Sequence, residues 1–298
     1  MNETHHIPVM LEESMLVLEP HAGGVYVDGT LGGGSHTEAL LQRSAPDGHV
    51  YSFEIYPEAL RHAKERFISY RTRWEGIYAN FAEWGTVLPA HGVNQVDGML
   101  LDLGFSSDEL DDPTIGLSFQ QDGVLDMRLG PLANEDGLMA AEIVNAWSAV
   151  DLSQLFETYA DERYAWKIAQ EIVHARRGNP IVTTKQLADI VTAAVPGGYE
   201  SGRIHPATRV FLALRMEVNQ ELPHIQQAID QAYDVLRPGG RLAIITFQSV
   251  EDGLVKRAFR DPKWEVLTRK PIDPSEEECR SNPRARSAKL RAVQKPLR

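Results

Sequence analysis

Five short apolar runs punctuate the chain: Val25–Asp28, Val50–Glu54, Trp74–Tyr78, Val96–Leu101 and Arg241–Phe247. Each is rich in β-branched or large apolar residues, and most are bounded by Gly, Asp or Asn, which is how buried strands read. Helical patterns separate them. His36–Arg43 lies between the first and second, and Pro57–Arg66 between the second and third, with Pro57 placed to open a helix. Strands joined through helices pair in parallel rather than as hairpins. The expected fold is therefore α/β, a doubly wound, mostly parallel, Rossmann-like sheet.

From about Leu110 to Ile204 that rhythm breaks, over a stretch too long for one crossover. Asp151–Arg177 reads as one long helix and Thr184–Val195 as a second, capped by Thr183 or Thr184. Pro180 and the Gly197-Gly198 pair punctuate them. This predicts a helical insert over 108–205, set into a domain formed by 1–107 and 206–298. The chain returns through helices spanning Pro206–Leu236, interrupted near Pro223, and Pro238-Gly239-Gly240 leads into the fifth strand.

With 298 residues and 43% hydrophobic content the chain is long enough for such a domain plus an insert. The single cysteine, Cys279, excludes an internal disulfide framework and a cysteine-based zinc cluster. No run is long and apolar enough for a membrane span, and the polar stretch Met1–Pro8 lacks a signal-peptide core, so a cytoplasmic protein is expected. The net charge of -12 argues against holding RNA through bulk charge. It is unevenly spread, because Leu254–Arg298 carries 13 Lys and Arg against 6 Asp and Glu, a local +7 that leaves -19 for the rest. That segment reads either as an ordinary solvated tail or as a basic rim on an acidic enzyme.

Three stretches carry candidate chemistry. Val27-Asp28-Gly29-Thr30-Leu31-Gly32-Gly33-Gly34-Ser35-His36 follows the first strand and opens a helix. Its glycines let backbone approach a ligand closely, although a bare tight turn has the same look. It has no Gly-Lys-Ser/Thr ending and no strict G-x-G-x-x-G spacing, so an adenosyl ligand without a pyrophosphate fits better than a nucleoside triphosphate or dinucleotide. Glu54 ends the second strand, 26 positions after Asp28, where an acidic residue accepts ribose hydroxyls or simply stands at a strand end. Asp102, in Leu100-Leu101-Asp102-Leu103-Gly104-Phe105-Ser106-Ser107, ends the fourth strand. It either orients an amine for methyl transfer or caps the following turn. His36 and His205 have no second His or Cys at ligand spacing, so no metal is assigned.

These residues carry a family resemblance that covers nearly the whole chain. Asp28-Gly29-Thr30, the Asp102 stretch, Leu110-Asp111-Asp112, Gly123-Val124-Leu125-Asp126-Met127-Arg128, His205-Pro206-Ala207-Thr208-Arg209 and Asn282-Pro283-Arg284-Ala285-Arg286-Ser287 stand in order between His6 and Arg291. Together they resemble the bacterial 16S ribosomal RNA cytosine-N4 methyltransferases, the RsmH/MraW family. The resemblance implies a methyltransferase domain binding S-adenosylmethionine (SAM), with a helical insert, acting on the exocyclic amine of a decoding-centre cytosine in the small ribosomal subunit. Carried over position by position, it implies Gly34, Ser35, His36, Glu54, Phe81, Asp102 and Glu109 as cofactor residues, with Phe81 near the adenine and Asp102 also catalytic. A base must leave its stack to reach such a pocket, and the Phe105-Ser106-Ser107 edge is expected to line it.

The chain departs from the family pattern in places. Ser35 stands for a usual Gly, Glu54 for Asp, Tyr56 for a second Asp, Glu109 for Gln, Gln248 for His and Gly253 for Arg. A drifted orthologue, a paralogue with a changed RNA target and a non-catalytic SAM- or RNA-binding regulator all accommodate these changes. Arg128, Arg209, Arg215, Arg284 and Arg286 are candidate phosphate contacts. Oligomeric state is left open, a dimer among the options.

Overall fold

The computed structural model describes residues 8–104, 112–134, 136–200 and 204–297. The chain divides into two compact units, Met1–Ser106 with Leu222–Arg298, and Ser107–Glu221.

A seven-stranded sheet organises the first unit. Its strands are β1 (Val25–Asp28), β2 (His49–Glu54), β3 (Trp74–Tyr78), β4 (Val96–Asp102), β5 (Leu236–Thr246), β6 (Glu265–Val266) and β7 (Lys289–Gln294). They lie in the order β3-β2-β1-β4-β5-β7-β6. The first five are mutually parallel, while β7 runs antiparallel to β5 and β6 antiparallel to β7. Helices, in chain order, are α1 (Leu11–Leu18), α2 (Ser35–Arg43), α3 (Pro57–Arg66), α4 (Trp84–Ala90), α5 (Ala140–Ala146), α6 (Ala149–Ala160), α7 (Ala165–Ala175), α8 (Thr184–Ala194), α9 (Thr208–Val218), α10 (Glu221–Val235), α11 (Ser249–Ala258) and α12 (Glu276–Ser281).

Successive strand residues point to opposite faces, so the apolar runs cover both faces of the sheet. Val27, Phe53, Leu101 and Ile244 pack on one face with Trp84 and Leu88 of α4, Ile225 and Ile229 of α10 and Val255 of α11. Their sequence neighbours Tyr26, Leu100 and Ile245 pack on the other face with Met15 and Leu18 of α1, Leu40 and Leu41 of α2 and Leu60 of α3. Helices on both faces make the sheet doubly wound, as expected. Each fully buried side chain of this kind contributes about 1.5–3 kcal/mol over its exposed state.

All five expected strands are present, with two differences. β5 begins at Leu236 rather than Arg241, because a register shift between Val96 and Gly98 of β4 absorbs Pro238-Gly239-Gly240. β6 and β7 extend the sheet with residues that the sequence reading assigned only to a basic segment. β7 is masked by its charge. Arg291 faces inward at 6% exposure and is matched by Asp252 of α11, with contacts of 2.6 and 3.1 Å.

The second unit holds α5 to α9. The long helix expected over Asp151–Arg177 is two: α6 stops at Asp161, whose φ of 49° is left-handed, and α7 starts at Ala165. Ser148 caps α6 by accepting from Asp151 N. Thr183 caps α8 in a reciprocal box, accepting from Gln186 N while Gln186 Oε1 accepts from Thr183 N. α9 belongs to this unit rather than to the returning chain. It buries Val210, Phe211 and Leu214, and the following Asn219 accepts from Leu129 N and donates to Met127 O. The expected interruption near Pro223 falls at Gln220, at φ 47°, leaving Pro223 in the first turn of α10. Among the described residues no helix is long and apolar enough to cross a membrane.

Candidate active site

The strand order reverses at β1, which is flanked by β2 and β4. In open α/β sheets that reversal leaves a crevice at the carboxyl ends of the strands. The glycine loop from Gly29 to Gly34 sits there and is tied to each neighbour. Gly29 N donates to Leu100 O at 2.8 Å, Leu31 N to Phe53 O at 3.0 Å and Gly32 N to Glu54 Oε2 at 2.9 Å. Asp102 N donates to Thr30 Oγ1 at 2.7 Å, so the loop threonine holds the end of β4.

Gly34 is required by its geometry. It opens α2 at φ 80°, and a Cβ there would stand 2.8 Å from the Phe67 ring. Gly29 is equally confined, since its Cβ would meet Leu101 at 2.4 Å and Phe81 at 3.1 Å. The first places a bend where L side chains are strained. The second lets Phe81 close over the loop.

Polar groups converge beneath the loop. Asp28 is fully buried and accepts from Thr30 N at 3.1 Å and from the Thr37 hydroxyl at 2.7 Å. Burial pushes its carboxyl above the ordinary value, while His36, Thr37 and Thr30 pull it back in part. His36, on the first turn of α2, is 5% exposed, and its Nε2 stands 3.5 Å from Asp102 Oδ2. At that distance the contact is an ion pair rather than a formed hydrogen bond, and neither ring nitrogen has a hydrogen-bond partner. Burial pushes the imidazole down, but Asp102 and Asp28, with the Val9 backbone, more than offset it and hold the ring above its ordinary value. Asp102 Oδ1 also accepts from Gly104 N at 3.3 Å, the turn contact that sequence reading allowed for.

Glu54 is buried, at 8% exposure, rather than a solvated strand end. Its Oε1 accepts from Ile55 N at 2.9 Å and Tyr56 N at 2.8 Å, while Oε2 takes the Gly32 bond. Phe81 follows β3, half-buried, with its ring edge-on to His224 at 6.5 Å.

Asn80 and His224 escaped the sequence reading, and Thr30 was read as part of the loop but not as the hydroxyl that holds Asp102 N. Asn80 is buried, its Oδ1 accepts from Ala82 N, and its Nδ2 lies 3.1 Å from His224 Nδ1. The signal was available, since Asn80 stands 26 positions beyond Glu54, as Glu54 does beyond Asp28. His224 comes from α10, which only the fold brings near.

Of the expected site residues, the structure gathers Gly34, Ser35, His36, Glu54 and Asp102 around the loop, with Phe81 against Gly29. Glu109, Phe105, Ser106, Ser107, Leu110 and Asp111 lie outside the described residues. Gln248 precedes α11 as its N-cap residue, its backbone N donating to Glu251 Oε2 at 3.0 Å, and Gly253 lies under Arg257. Among the described residues no three His, Cys, Asp or Glu side chains converge as metal ligands.

Three of the five candidate phosphate contacts are committed elsewhere. Arg128 makes a two-pronged contact with Asp126 at 2.7 and 2.8 Å, and Arg215 does the same with Glu221 at 2.8 and 3.0 Å. Arg209 pairs with Glu200 and donates to the carbonyls of Ala160 and Asp161. Guanidinium donors used internally in this way bind the second unit together. Arg284 and Arg286 remain exposed beside the buried Asn282, whose Oδ1 accepts from Arg284 N.

The chain matches the model of the MraW methylase family over residues 3–296. Three curated relatives are each named Ribosomal RNA small subunit methyltransferase H. The protein of Desulfotalea psychrophila is 46% identical over 98% of this chain and 99% of its own length. That of Syntrophobacter fumaroxidans is 44% identical over 97% and 96%, and that of Thermomicrobium roseum 44% identical over 98% and 94%. With the site at the strand ends and a full-length match in both directions, the chain belongs to the MraW methylase family.

Proposed function

We propose that the chain is a SAM-dependent methyltransferase that modifies the exocyclic N4 amine of a cytosine in 16S ribosomal RNA, acting on the small subunit in the cytoplasm. The observation that carries this reading is the convergence of Glu54, His36 and Asp102 on a glycine loop at the sheet's reversal point, in a chain related over its full length to small-subunit RNA methyltransferases.

The residues present suit an adenosyl ligand with an amino-acid tail. The left-handed glycines bring backbone close, His36 offers ring nitrogens without a formed hydrogen bond, and Phe81 offers an apolar face. Gly34, Ser35, His36, Glu54, Phe81 and Asp102 hold this cofactor in our reading. SAM supplies an electrophilic methyl group on a sulfonium. Glu54 receives ribose hydroxyls, and its three backbone N–H contacts set the carboxylate before the ligand arrives. Asp102 accepts from the amine that is methylated or from the amino group of the cofactor's tail. Such a reaction needs alignment more than strong base catalysis, because the amine proton becomes acidic only as the new bond forms. The Thr30 and Gly104 contacts of Asp102 provide that alignment. The helical unit Ser107–Glu221 takes part in recognising the folded RNA.

Titration calorimetry with the pure protein should give a SAM dissociation constant in the micromolar range, roughly -8 kcal/mol. No binding at millimolar SAM would remove the proposal.

A further inference from the structure

The committed arginines of the second unit raise the question of which cations are left for an RNA backbone. We propose that the β6/β7 edge of the sheet carries a cationic track, formed by Lys256, Arg257, Arg260, Arg269 and Lys270 and continuing to Arg286, that grips the phosphate backbone of the substrate RNA. It rests on the reading of the protein as an RNA methyltransferase.

The register of the sheet places these residues on one flank. β7 runs down the edge from Lys289, opposite Thr246 at the site end of β5, to Gln294, opposite Arg241. β6 pairs with the lower end of β7, Glu265 with Gln294 and Val266 with Val293. The chain then climbs the edge. Thr268 N donates to Ala292 O, and Ile272 bridges Leu290 near the top. Arg269 and Lys270 therefore lie partway up the flank. Arg286 stands just before Lys289 at its upper end. Lys256, Arg257 and Arg260 stand at its lower end, where α11 finishes after running back from the site edge. The six residues of β7 span about 20 Å, a length that matches a few consecutive phosphates rather than one.

Charge state and freedom set this flank apart. Lys256, Arg257, Arg260, Arg269, Lys270 and Arg286 are exposed, and none forms an ion pair among the described residues; Arg286 Nε donates only to the Cys279 carbonyl. Elsewhere in the tail the cations are used internally. Arg291 is locked to Asp252, Lys295 caps the Tyr233 and Leu236 carbonyls, and Arg280 pairs with Glu276. Asp261 and Glu265 interrupt the track without a cation partner of their own there. On a chain of net charge -12, a run of unpaired cations has no internal task, while phosphate contacts give it one through counterion release. The edge strand is also only two residues long, which discourages pairing with another sheet and leaves the flank open to a non-protein partner.

The test compares two triple variants of the full chain, each removing three positive charges. Arg260→Gln/Arg269→Gln/Lys270→Gln strips the track. Arg61→Gln/Lys64→Gln/Arg71→Gln strips the opposite edge, around α3. Filter binding to purified small subunits that lack the methyl group is followed against salt, with SAM affinity and melting temperature as folding controls. For the track variant, the plot of log K against log salt should flatten by about 2, the loss of three phosphate contacts. KM for the subunit should rise at least tenfold, with kcat within twofold. The α3 variant should keep the wild-type slope. Equal slopes and KM values for the two variants would overturn the track. So would a track defect seen with whole subunits but absent with protein-free small-subunit RNA, which would make the flank a protein-docking surface. Should wild type bind subunits yet transfer no methyl, the functional proposal fails, while the binding slopes still decide the track.

Discussion

Glu54 shows how one carboxylate at a strand end serves both fold and ligand. Its contact with Gly32 N ties the glycine loop to β2 and those with Ile55 N and Tyr56 N hold the turn after the strand, so removing it costs more than a ligand bond. Glu54→Gln keeps an acceptor oxygen and should weaken SAM binding by about 1–3 kcal/mol, the scale of a charge-assisted hydrogen bond. Glu54→Ala should also lower the melting temperature. Calorimetry and thermal denaturation separate the two, and unchanged affinity in both variants would reduce Glu54 to a structural carboxylate. Asp102→Ala should cut turnover at least about a hundredfold, the loss expected of an orienting group. Its melting temperature should fall far less than its turnover, the loss coming from the buried His36 left without the Asp102 carboxylate and from the 3.3 Å contact with Gly104 N. Activity within twofold of wild type would refute the role.

His36 makes stability depend on pH in a direction that can be worked out. Its folded value is raised, so its stabilisation is complete below the unfolded value of about 6.5 and is lost as pH climbs through the folded value. Asp28 is also raised, so it too favours the folded state at lower pH, in a window that opens near the unfolded value of about 3.9. The melting-temperature gap between wild type and His36→Gln should therefore narrow as pH rises from 6 toward 9, approximate bounds set by that histidine value. A gap constant over this range would mean that the ring is not held by Asp102 and Asp28.

At the scale of elements, the pairing of β7 with α11 rests on Arg291 and Asp252. Both are nearly sealed from water, with side-chain exposures of 7% and 12%. Arg291→Ala should cost up to about 3–5 kcal/mol in chemical denaturation, since it leaves the Asp252 carboxylate to the weaker 3.9 Å contact with Lys289. Arg291→Met/Asp252→Leu should recover much of that loss. A double variant as unstable as the single one would show that the pair adds more than mutual neutralisation. The same pair explains why β7 was illegible in the sequence: its inward arginine breaks the apolar pattern, and its partner lies 39 positions earlier. β1 to β4 with α2 and α3 were legible because each is local, an apolar run closed by a polar strand end and followed by a helix start, whereas α1 and α4 went unread. The split between α6 and α7 was not, because a left-handed Asp161 leaves no proline or glycine to mark it.

For the whole molecule, the glycine loop and its carboxylates were readable from order along the chain, whereas the use of the arginines was not. Arg128, Arg209 and Arg215 look like phosphate ligands in a sequence and are ion-paired in the fold. That shifts RNA contact toward the exposed cations near the C-terminus and keeps the bulk of the surface acidic. Phosphate contacts of this kind supply affinity but carry no sequence information, so recognition should depend on folded shape. Purified small subunits should be methylated much faster than an equimolar oligonucleotide carrying the same cytosine, and equal initial rates would contradict that dependence.

The chemical identity of the product decides whether the chain is a cytosine-N4 methyltransferase. Small subunits lacking the modification, incubated with the protein and methyl-labelled SAM, should yield labelled N4-methylcytidine when their RNA is digested to nucleosides and resolved by mass spectrometry, and Asp102→Ala should abolish it. Label on a different nucleoside, or no label from a protein that binds SAM, would mean that the chain does not methylate this amine.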